Sequence, residues 1–437
     1  MRTFRIGGIH PPENKLTADR PIERLPLPEE LSIMMSQCIG APSKPIVKAG
    51  EEVIAGQMIA EAGGFVGAPV HSPVNGKVKK IEAVRTPQGL WQQAVIITPD
   101  VDNPLSDNNF TLSDDIIENL TPAEIIGKVG DAGIVGLGGA TFPTRVKLSV
   151  PQGKKVDTVL LNGAECEPYL TCDDALMKVH PHEILKGMKL IMKATGASNG
   201  IVGIEENKKE AFNIISKAAQ SYDDISVVLL KKKYPQGSEK QLIYALTKRV
   251  VPAGCLPIET SCVVDNVATA FAIYQAIYKN IPLYERIVTV TGKQLTKPGN
   301  YIISNGTPIS WILDHCGGIP DDTGKIIAGG PMMGRAISCL DATATKGLSG
   351  VVVMSEKDSL RKETQPCIRC AACINVCPMG LEPYLFMQQA LNSLWTDMAD
   401  HGVANCLECG CCSYSCPSSR PLVDMIRLGK FELRKKK

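Results

Sequence analysis

The sequence predicts a multidomain α/β chain that ends in an α-helical, cysteine-rich domain. Three observations carry this prediction. Strand-like runs at 156–161, 200–204 and 225–230 alternate with helical patterns near 207–220 and 238–247, the order of an α/β domain. Eight of the 16 cysteines form two matching runs within residues 367–416. The length of 437 residues, at about 150 per domain, amounts to roughly three domains.

Composition narrows the class. Hydrophobic residues are 44% and charged residues 21%, which excludes a disordered or fibrous chain. The net charge of +2 removes the electrostatic case for nucleic-acid binding. The opening stretch, Met1 to Pro12, has no apolar signal core behind it. No run of about 18 apolar residues occurs, so no transmembrane helix is expected. Without an export signal the expected compartment is reducing, where grouped cysteines read as metal ligands or redox groups.

Residues 1–110 are expected to form the first domain. Val47, Gly50, Val53, Gly56 and Ile59, then Val70-His71-Ser72-Pro73-Val74-Asn75-Gly76, give short strands with regular turns. This pattern resembles a lipoyl-type barrel-sandwich. The carrier lysine of such domains would fall at Phe65, which cannot form the lipoyl amide, so a structural or docking module is expected. His71-Ser72 is expected to be turn chemistry.

Residues 111–284 carry the α/β pattern. At their start, Ile134-Val135 runs into Gly136-Leu137-Gly138-Gly139-Ala140-Thr141-Phe142 and then Lys147. The glycines let backbone approach a ligand, and free N–H groups can cradle a phosphate. A structural glycine turn is the alternative, and Thr141 breaks the G-x-G-x-x-G fingerprint. The strand at 156–161 ends in Asn162-Gly163-Ala164-Glu165-Cys166-Glu167-Pro168. Chemistry in α/β folds sits past strand ends, so Asn162, Glu165 and Glu167 are candidates for a ligand mouth.

Residues 285–350 alternate over Ile287-Val288-Thr289-Val290-Thr291, followed by a short helical pattern at Ile309-Ser310-Trp311-Ile312-Leu313. A small β-grasp insert is expected, either a ligand-binding module or a spacer.

Residues 351–437 contain two matching runs. Cys367, Cys370, Cys373 and Cys377-Pro378 repeat the spacing of Cys406, Cys409, Cys412 and Cys416-Pro417. Each is the C-x2-C-x2-C-x3-C-P spacing of a [4Fe–4S] site, in which the fourth cysteine ligates the other cluster. One cluster is therefore assigned Cys367, Cys370, Cys373 and Cys416. The other is assigned Cys406, Cys409, Cys412 and Cys377. Zinc sites use four ligands in two separated pairs, a poorer match. Cys411 is an extra residue, expected to pack beside a cluster. Leu381, Leu385, Met387, Ala390, Leu391 and Leu394 approximate helical spacing between the runs, with Pro383 suited to a first turn.

Taken in order, Gly-x-Gly-Gly-Ala-x-Phe-Pro at 136–143 with Lys147, Asn162 to Pro168, Tyr234-Pro235-Gln236-Gly237-Ser238-Glu239 and Asn266-Val267-Ala268-Thr269 resemble the flavin-binding, NADH-oxidising subunit of respiratory complex I. With the Gly7-Gly8-Ile9-His10-Pro11 opening and the two cysteine runs, nearly the whole chain resembles more closely the C subunit of the Rnf electron-transport complex. The resemblance implies an FMN held by Gly136, Gly138, Gly139, Lys147, Asn162, Asn266 and Thr269. It implies that Glu165 and Glu167 lie near the isoalloxazine and nicotinamide path, Phe142 in the nucleotide site, and Gly237 and Glu239 at the flavin edge.

Against the complex I pattern, Leu137 replaces an arginine, Thr141 a glycine, Ala164 an aspartate, Ser238 a glutamate and Asp265 an asparagine. These departures bear on NAD(H) contacts more than on the flavin cradle. The implied function is electron transfer between NAD(H), FMN and two [4Fe–4S] clusters, with no side chain assigned as catalytic acid or base. The implied partners are other Rnf subunits, integral membrane ones among them, and ferredoxin, and the implied location is the cytoplasmic membrane face. A microcompartment-type cobalamin reductase and a cluster relay without a working nucleotide site are the alternative expectations.

Overall fold

A computed structural model describes residues 1–105 and 110–435. Within the N-terminal region, strands Leu31–Met34, Trp91–Pro99, Gly76–Arg85 and Glu52–Val53 form one sheet. Lys44–Pro45, Met58–Glu61 and Val70–His71 form the facing one. Alternate residues meet between them: Leu31 and Ile33, Val95 and Ile97, with Ile59, Val70 and Val78. Period-two burial of this kind is what a sandwich core requires. Past Val70–His71 the chain turns on Ser72, whose hydroxyl donates to the Val74 carbonyl at 2.7 Å.

The central domain holds four parallel strands, β1 (Thr158–Gly163), β2 (Asn199–Glu205), β3 (Ile225–Leu230) and β4 (Cys262–Asn266), in the order β3-β2-β1-β4. Besides a short helix at Asp114–Glu118, its helices are α1 (Pro122–Asp131), α2 (Thr144–Leu148), α3 (Cys172–Val179), α4 (Pro181–Thr195), α5 (Lys209–Ala219), α6 (Glu239–Thr247) and α7 (Val267–Tyr278). Strands buried on both faces read as continuous apolar runs, and the alternation sorts them. Val159, Leu161 and Val263 face Ile184, Leu185, Met188 and Ile273 of α4 and α7. Leu160 and Val264 face Leu242, Ile243 and Leu246 of α6. Each such side chain, fully buried, contributes about 1.5–3 kcal/mol. Helix α4 starts on Pro181 at its first position and stops at Gly196 in the left-handed region. Gly187 lets α4 lie directly on the Ala270 carbonyl of α7, where any Cβ would collide.

The β-grasp region contributes strands Glu285–Thr291, Gly299–Ser304, Thr323–Ala328, Arg335–Ala336 and Gly350–Ser355 to a six-stranded sheet, beside helix Ile309–His315. The sixth strand is Ile22–Arg24, which pairs in parallel with Gly299–Ser304. The residues before it run across the other domains. Arg2 bridges Leu230, and Ile9 bridges Tyr234. Position 7 requires glycine, since φ is +65 and a Cβ would run into the Cys377 carbonyl, and Gly8 N–H donates to the Val376 carbonyl at 2.9 Å.

In the C-terminal region, helices Pro383–Leu391, Trp395–Asp400 and Leu422–Lys435 pack on Phe386, Ala390, Met398 and Ile426. Pro383 opens the first of these. The helical spacing between the cysteine runs is realised as two short helices, broken where Ser393 takes φ +55. Among the described residues no helix is long and apolar enough to cross a membrane.

Candidate cofactor sites

Strand order β3-β2-β1-β4 places a topological switch between β1 and β4, and ligands of such sheets bind outside the carboxyl ends of the strands there. Asn162 is the last residue but one of β1, Asn266 ends β4, and the two are register partners. The Asn266 Oδ1 caps α7 by accepting from Ala268 N–H at 2.8 Å, while its Nδ2 donates to Asp173 Oδ2 at 2.7 Å. Asn162 Nδ2 donates to the Gly237 carbonyl at 2.8 Å. These bonds join β1 and β4 to the Tyr234–Ser238 loop at the carboxyl ends of the strands, where the crevice of such a sheet lies.

The glycine loop forms its rim. Gly136 N–H closes the loop on the Phe142 carbonyl at 2.8 Å, and the Thr269 hydroxyl, buried in α7, accepts from Leu137 N–H at 2.9 Å. Gly139 takes φ +110 with open space where a Cβ would be, and Gly138 to Ala140 are exposed. From α2, Lys147 donates to the Val264 carbonyl at 2.7 Å and lies 3.5 Å from Asp265 and 3.6 Å from Glu239. Burial pulls the Lys147 pKa down, but Asp265 and Glu239 more than offset it, so the ammonium is held above its ordinary range. Asp265 is buried and neither carboxylate oxygen has a hydrogen-bond partner. Glycines, two amides, a threonine and a fixed cation on an open crevice form a donor set that fits an FMN with its phosphate.

The two glutamates part company. Glu165 turns inward and accepts from Asp173 N–H at 2.7 Å and Asp174 N–H at 3.4 Å, so its carboxylate caps the start of α3. Glu167 reaches to the β-grasp region and accepts from Met332 N–H at 3.1 Å and Met333 N–H at 2.8 Å. Burial pushes its pKa up to about 7 despite those bonds. Two lysines outside every sequence motif hold this loop. Lys15 donates to the carbonyls of Glu165 and Glu167, both at 2.9 Å, and Lys208 to that of Ala164 at 2.8 Å. Lone lysines have no local signature, and only the fold shows their burial.

Among the cysteines, Cys377, Cys406, Cys409 and Cys412 line one cavity, closed by Leu381, Phe386, Val423 and Ile426. Backbone N–H groups of Leu381 and Glu408 point at Cys377 and Cys406 Sγ, at 3.3 and 3.4 Å. An all-sulfur set with N–H donors in an apolar wall fits an iron–sulfur cluster. Cys411 lines the same cavity, its Sγ 4.0 Å from the Tyr234 carbonyl.

Of the other set, Cys373 and Cys416 pack against Leu422 and Val423, while Cys367 and Cys370 are exposed. The chain before Cys367 is tied to the chain after Cys416: Gln365 N–H donates to the Ser418 carbonyl at 3.0 Å and Ser418 Oγ to the Pro366 carbonyl at 2.9 Å. The remaining seven cysteines, Cys38, Cys166, Cys172, Cys255, Cys262, Cys316 and Cys339, form no disulfide.

The enclosed set lies against the crevice loops. Tyr234 Oη donates to the Cys409 carbonyl at 2.8 Å. Ile9, Cys166 and Met332 pack with Cys409 and Cys411. Gln241 Nε2 donates to the Pro378 carbonyl at 3.1 Å. The Tyr234 motif and the Gly7-Gly8 opening were visible in the sequence, but not that they meet here.

Comparison with known families follows the same order along the chain. Residues 3–102 match the RnfC barrel sandwich hybrid domain, 129–275 the Nuo51 FMN-binding domain, 287–336 the SLBB domain and 359–420 the 4Fe-4S dicluster domain. The chain thus has an FMN-binding domain and a dicluster domain. In fold it is similar to a chain of an NAD+-reducing [NiFe]-hydrogenase, with a TM-score of 0.51 and 20% identity, over 66% of this chain and 57% of that one. It is 42% identical to the C subunit of the Na(+)-translocating ferredoxin:NAD(+) oxidoreductase complex of Acetobacterium woodii, over 99% of this chain and 97% of that protein. It is 41% identical to the C subunit of the proton-translocating ferredoxin:NAD(+) oxidoreductase complex of Clostridium ljungdahlii, over 88% and 83%. The C subunit of the ion-translocating oxidoreductase complex of Rhodobacter capsulatus is 38% identical over 88% and 74%. With that identity along nearly its whole length and the four domains in this order, the chain belongs to the C-subunit family of ion-translocating ferredoxin:NAD(+) oxidoreductase complexes.

Proposed function

We propose that this chain is the peripheral, NAD(H)-reacting subunit of such a complex, docked on the cytoplasmic membrane face against integral membrane subunits and serving a complex that also exchanges electrons with ferredoxin. The observation that carries the reading is the contact between the enclosed cysteine cavity and the crevice, through Tyr234, Cys166 and Met332. When bound, FMN accepts two electrons as a hydride and releases them singly, and each [4Fe–4S] cluster carries one. The residues supply position and electrostatics. Gly136, Gly138 and Gly139 admit the flavin chain, with Lys147 as the fixed cation near its phosphate. Asn162, Asn266 and Thr269 hold the loops that surround it, and Glu239 and Gly237 border its edge. Phe142 closes the glycine loop, Glu165 fixes the loop between crevice and cysteines, and Glu167 pins the β-grasp region to that loop. Cys377, Cys406, Cys409 and Cys412 hold the inner cluster, and Cys367, Cys370, Cys373 and Cys416 the outer one.

Anaerobic NADH titration of the reconstituted chain tests this. Flavin bleaching followed by cluster reduction is expected, with one FMN and about eight irons per chain. Absence of bound flavin, or flavin that NADH does not bleach, overturns it. Lys147→Ala is expected to lower flavin occupancy, an effect that a relay without a nucleotide site would not show. Reduction of cob(II)alamin by the chain alone would favour the cobalamin-reductase alternative, to which the relatives described lend no support.

A further inference from the structure

The barrel-sandwich region meets the helix after the glycine loop at the turn that replaces a carrier lysine with Phe65. The turn is held rigid by backbone. Gly40 and Gly63 lie where any Cβ would collide with the Val66 and Pro42 carbonyls, and Ala41 N–H donates to the Val66 carbonyl at 3.1 Å. On this clamp the Phe65 side chain stands 70% exposed. Exposed aromatics are not unusual singly, but the surroundings of this one are particular. Its ring lies 5.9 Å from the Arg145 guanidinium, and its carbonyl accepts from Arg145 Nη2 at 3.2 Å. Arg145 belongs to α2, which follows the glycine loop directly. Next to it, Ile39, itself half exposed, donates its N–H to the Thr141 carbonyl of that loop at 3.2 Å. The exposed backbone of Gly138 to Ala140 therefore continues into a wall made of a cation and a rigid aromatic face.

That sequence of surfaces matches one ligand chemistry: an anionic pyrophosphate followed by a flat aromatic base. We infer that Phe65, backed by Arg145, stacks on the adenine ring of NAD(H), so that the barrel-sandwich region completes the dinucleotide site. The inference rests on the proposed NAD(H) reaction and adds a residue from a region that neither the crevice nor the cysteine runs include. Stacking tolerates ring identity but not ring loss. Pre-organisation by the clamped turn lowers the ordering cost of binding.

The test uses the full chain loaded with FMN and clusters, an artificial electron acceptor, and two donors. NADH carries the adenosine half; reduced nicotinamide mononucleotide carries the same hydride-donating ring without it. Phe65→Ala is expected to lower the preference for NADH over the mononucleotide, as a ratio of kcat/KM values, about tenfold, the equivalent of about 1.4 kcal/mol. The loss is expected in KM, and Phe65→Trp is expected to restore the ratio. An unchanged ratio in Phe65→Ala with normal flavin and iron content, or equal losses on both donors, overturns the inference alone. A flavin-loaded wild-type chain that oxidises neither donor overturns the underlying reading.

Discussion

The two cysteine runs have the same spacing and opposite surroundings. Cys377, Cys406, Cys409 and Cys412 share an apolar cavity between the crevice loops and the C-terminal helix. The other set begins on the irregular stretch 360–371, where Cys367 and Cys370 face solvent. A motif repeated in sequence has thus been given two roles by packing. Spacing decides what is bound, while burial, N–H donors and neighbours decide its potential and whom it meets. The inner site meets the crevice and the outer site meets the surface, and on the proposed function this would order a relay from flavin through inner to outer cluster.

The largest expected effect breaks that order directly. In Cys409→Ala, iron falls to about four per chain from about eight, and the NADH-reducible cluster signal nearly vanishes because the surviving cluster is the remote one. In Cys370→Ala, iron falls equally but about half of the reducible signal remains. Iron analysis and EPR after anaerobic NADH reduction check this. Equal reducible signals in the two variants would show that the clusters are not in series.

How much of this was legible follows from locality. The cysteine spacing, the strand runs and the glycine loop are signals contained in a few consecutive residues, and they marked the α/β region and the cysteine-rich end of the chain. Asn162 and Asn266 are 104 positions apart; the strand run at 156–161 pointed to Asn162, whereas Asn266 entered only through the resemblance. The bonds of Glu165 were not legible for a physical reason: a glutamate beside a ligand mouth and one capping a helix look alike in sequence, and only the fold brings the Asp173 and Asp174 N–H groups to its carboxylate. The inner–outer asymmetry was not legible at all. It arises from contacts between Ile9, Tyr234, Met332 and Cys409, residues drawn from four separate stretches, with no local pattern to announce them.

The N-terminal strap sharpens the comparison at an intermediate scale. Gly7 and Gly8 cross the inner site only, over the Val376 and Cys377 backbone. Gly7→Ala adds a Cβ at positive φ against the Cys377 carbonyl, a strain of about 1–3 kcal/mol. Loss of iron to a chelator is expected to speed up at the inner cluster by roughly tenfold, at about 1.4 kcal/mol per decade, with the outer cluster's rate unchanged. Resolving the two rates by cluster EPR is the check, and a uniform acceleration would mean that the strap supports the whole domain rather than one site.

The smallest effect separates the sites by charge. Glu408, inside the inner run, binds Lys430 Nζ at 2.9 Å and Arg427 Nε at 3.0 Å, and Lys430 also donates to the Cys406 carbonyl at 2.7 Å. Burial pushes the Glu408 pKa up, but Lys430 and Arg427 pull it below its usual 4.5. A depressed carboxylate stabilises the fold in full above its unfolded value and loses that contribution only as pH falls through the folded one, so at neutral pH the network is complete. The ion pair near the outer run, Arg361 with Asp424 at 2.8 Å, has an arginine side chain that is 73% exposed. Solvent screens such a pair to nearly nothing. Glu408→Gln is therefore expected to cost about 0.5–1 kcal/mol, read as a lower thermal midpoint and faster inner-cluster iron loss, and Arg361→Ala no measurable amount. A larger effect from Arg361→Ala would mean that the outer site is held by its surface charges, and that its exposed cysteines sit in a more rigid frame than their burial implies.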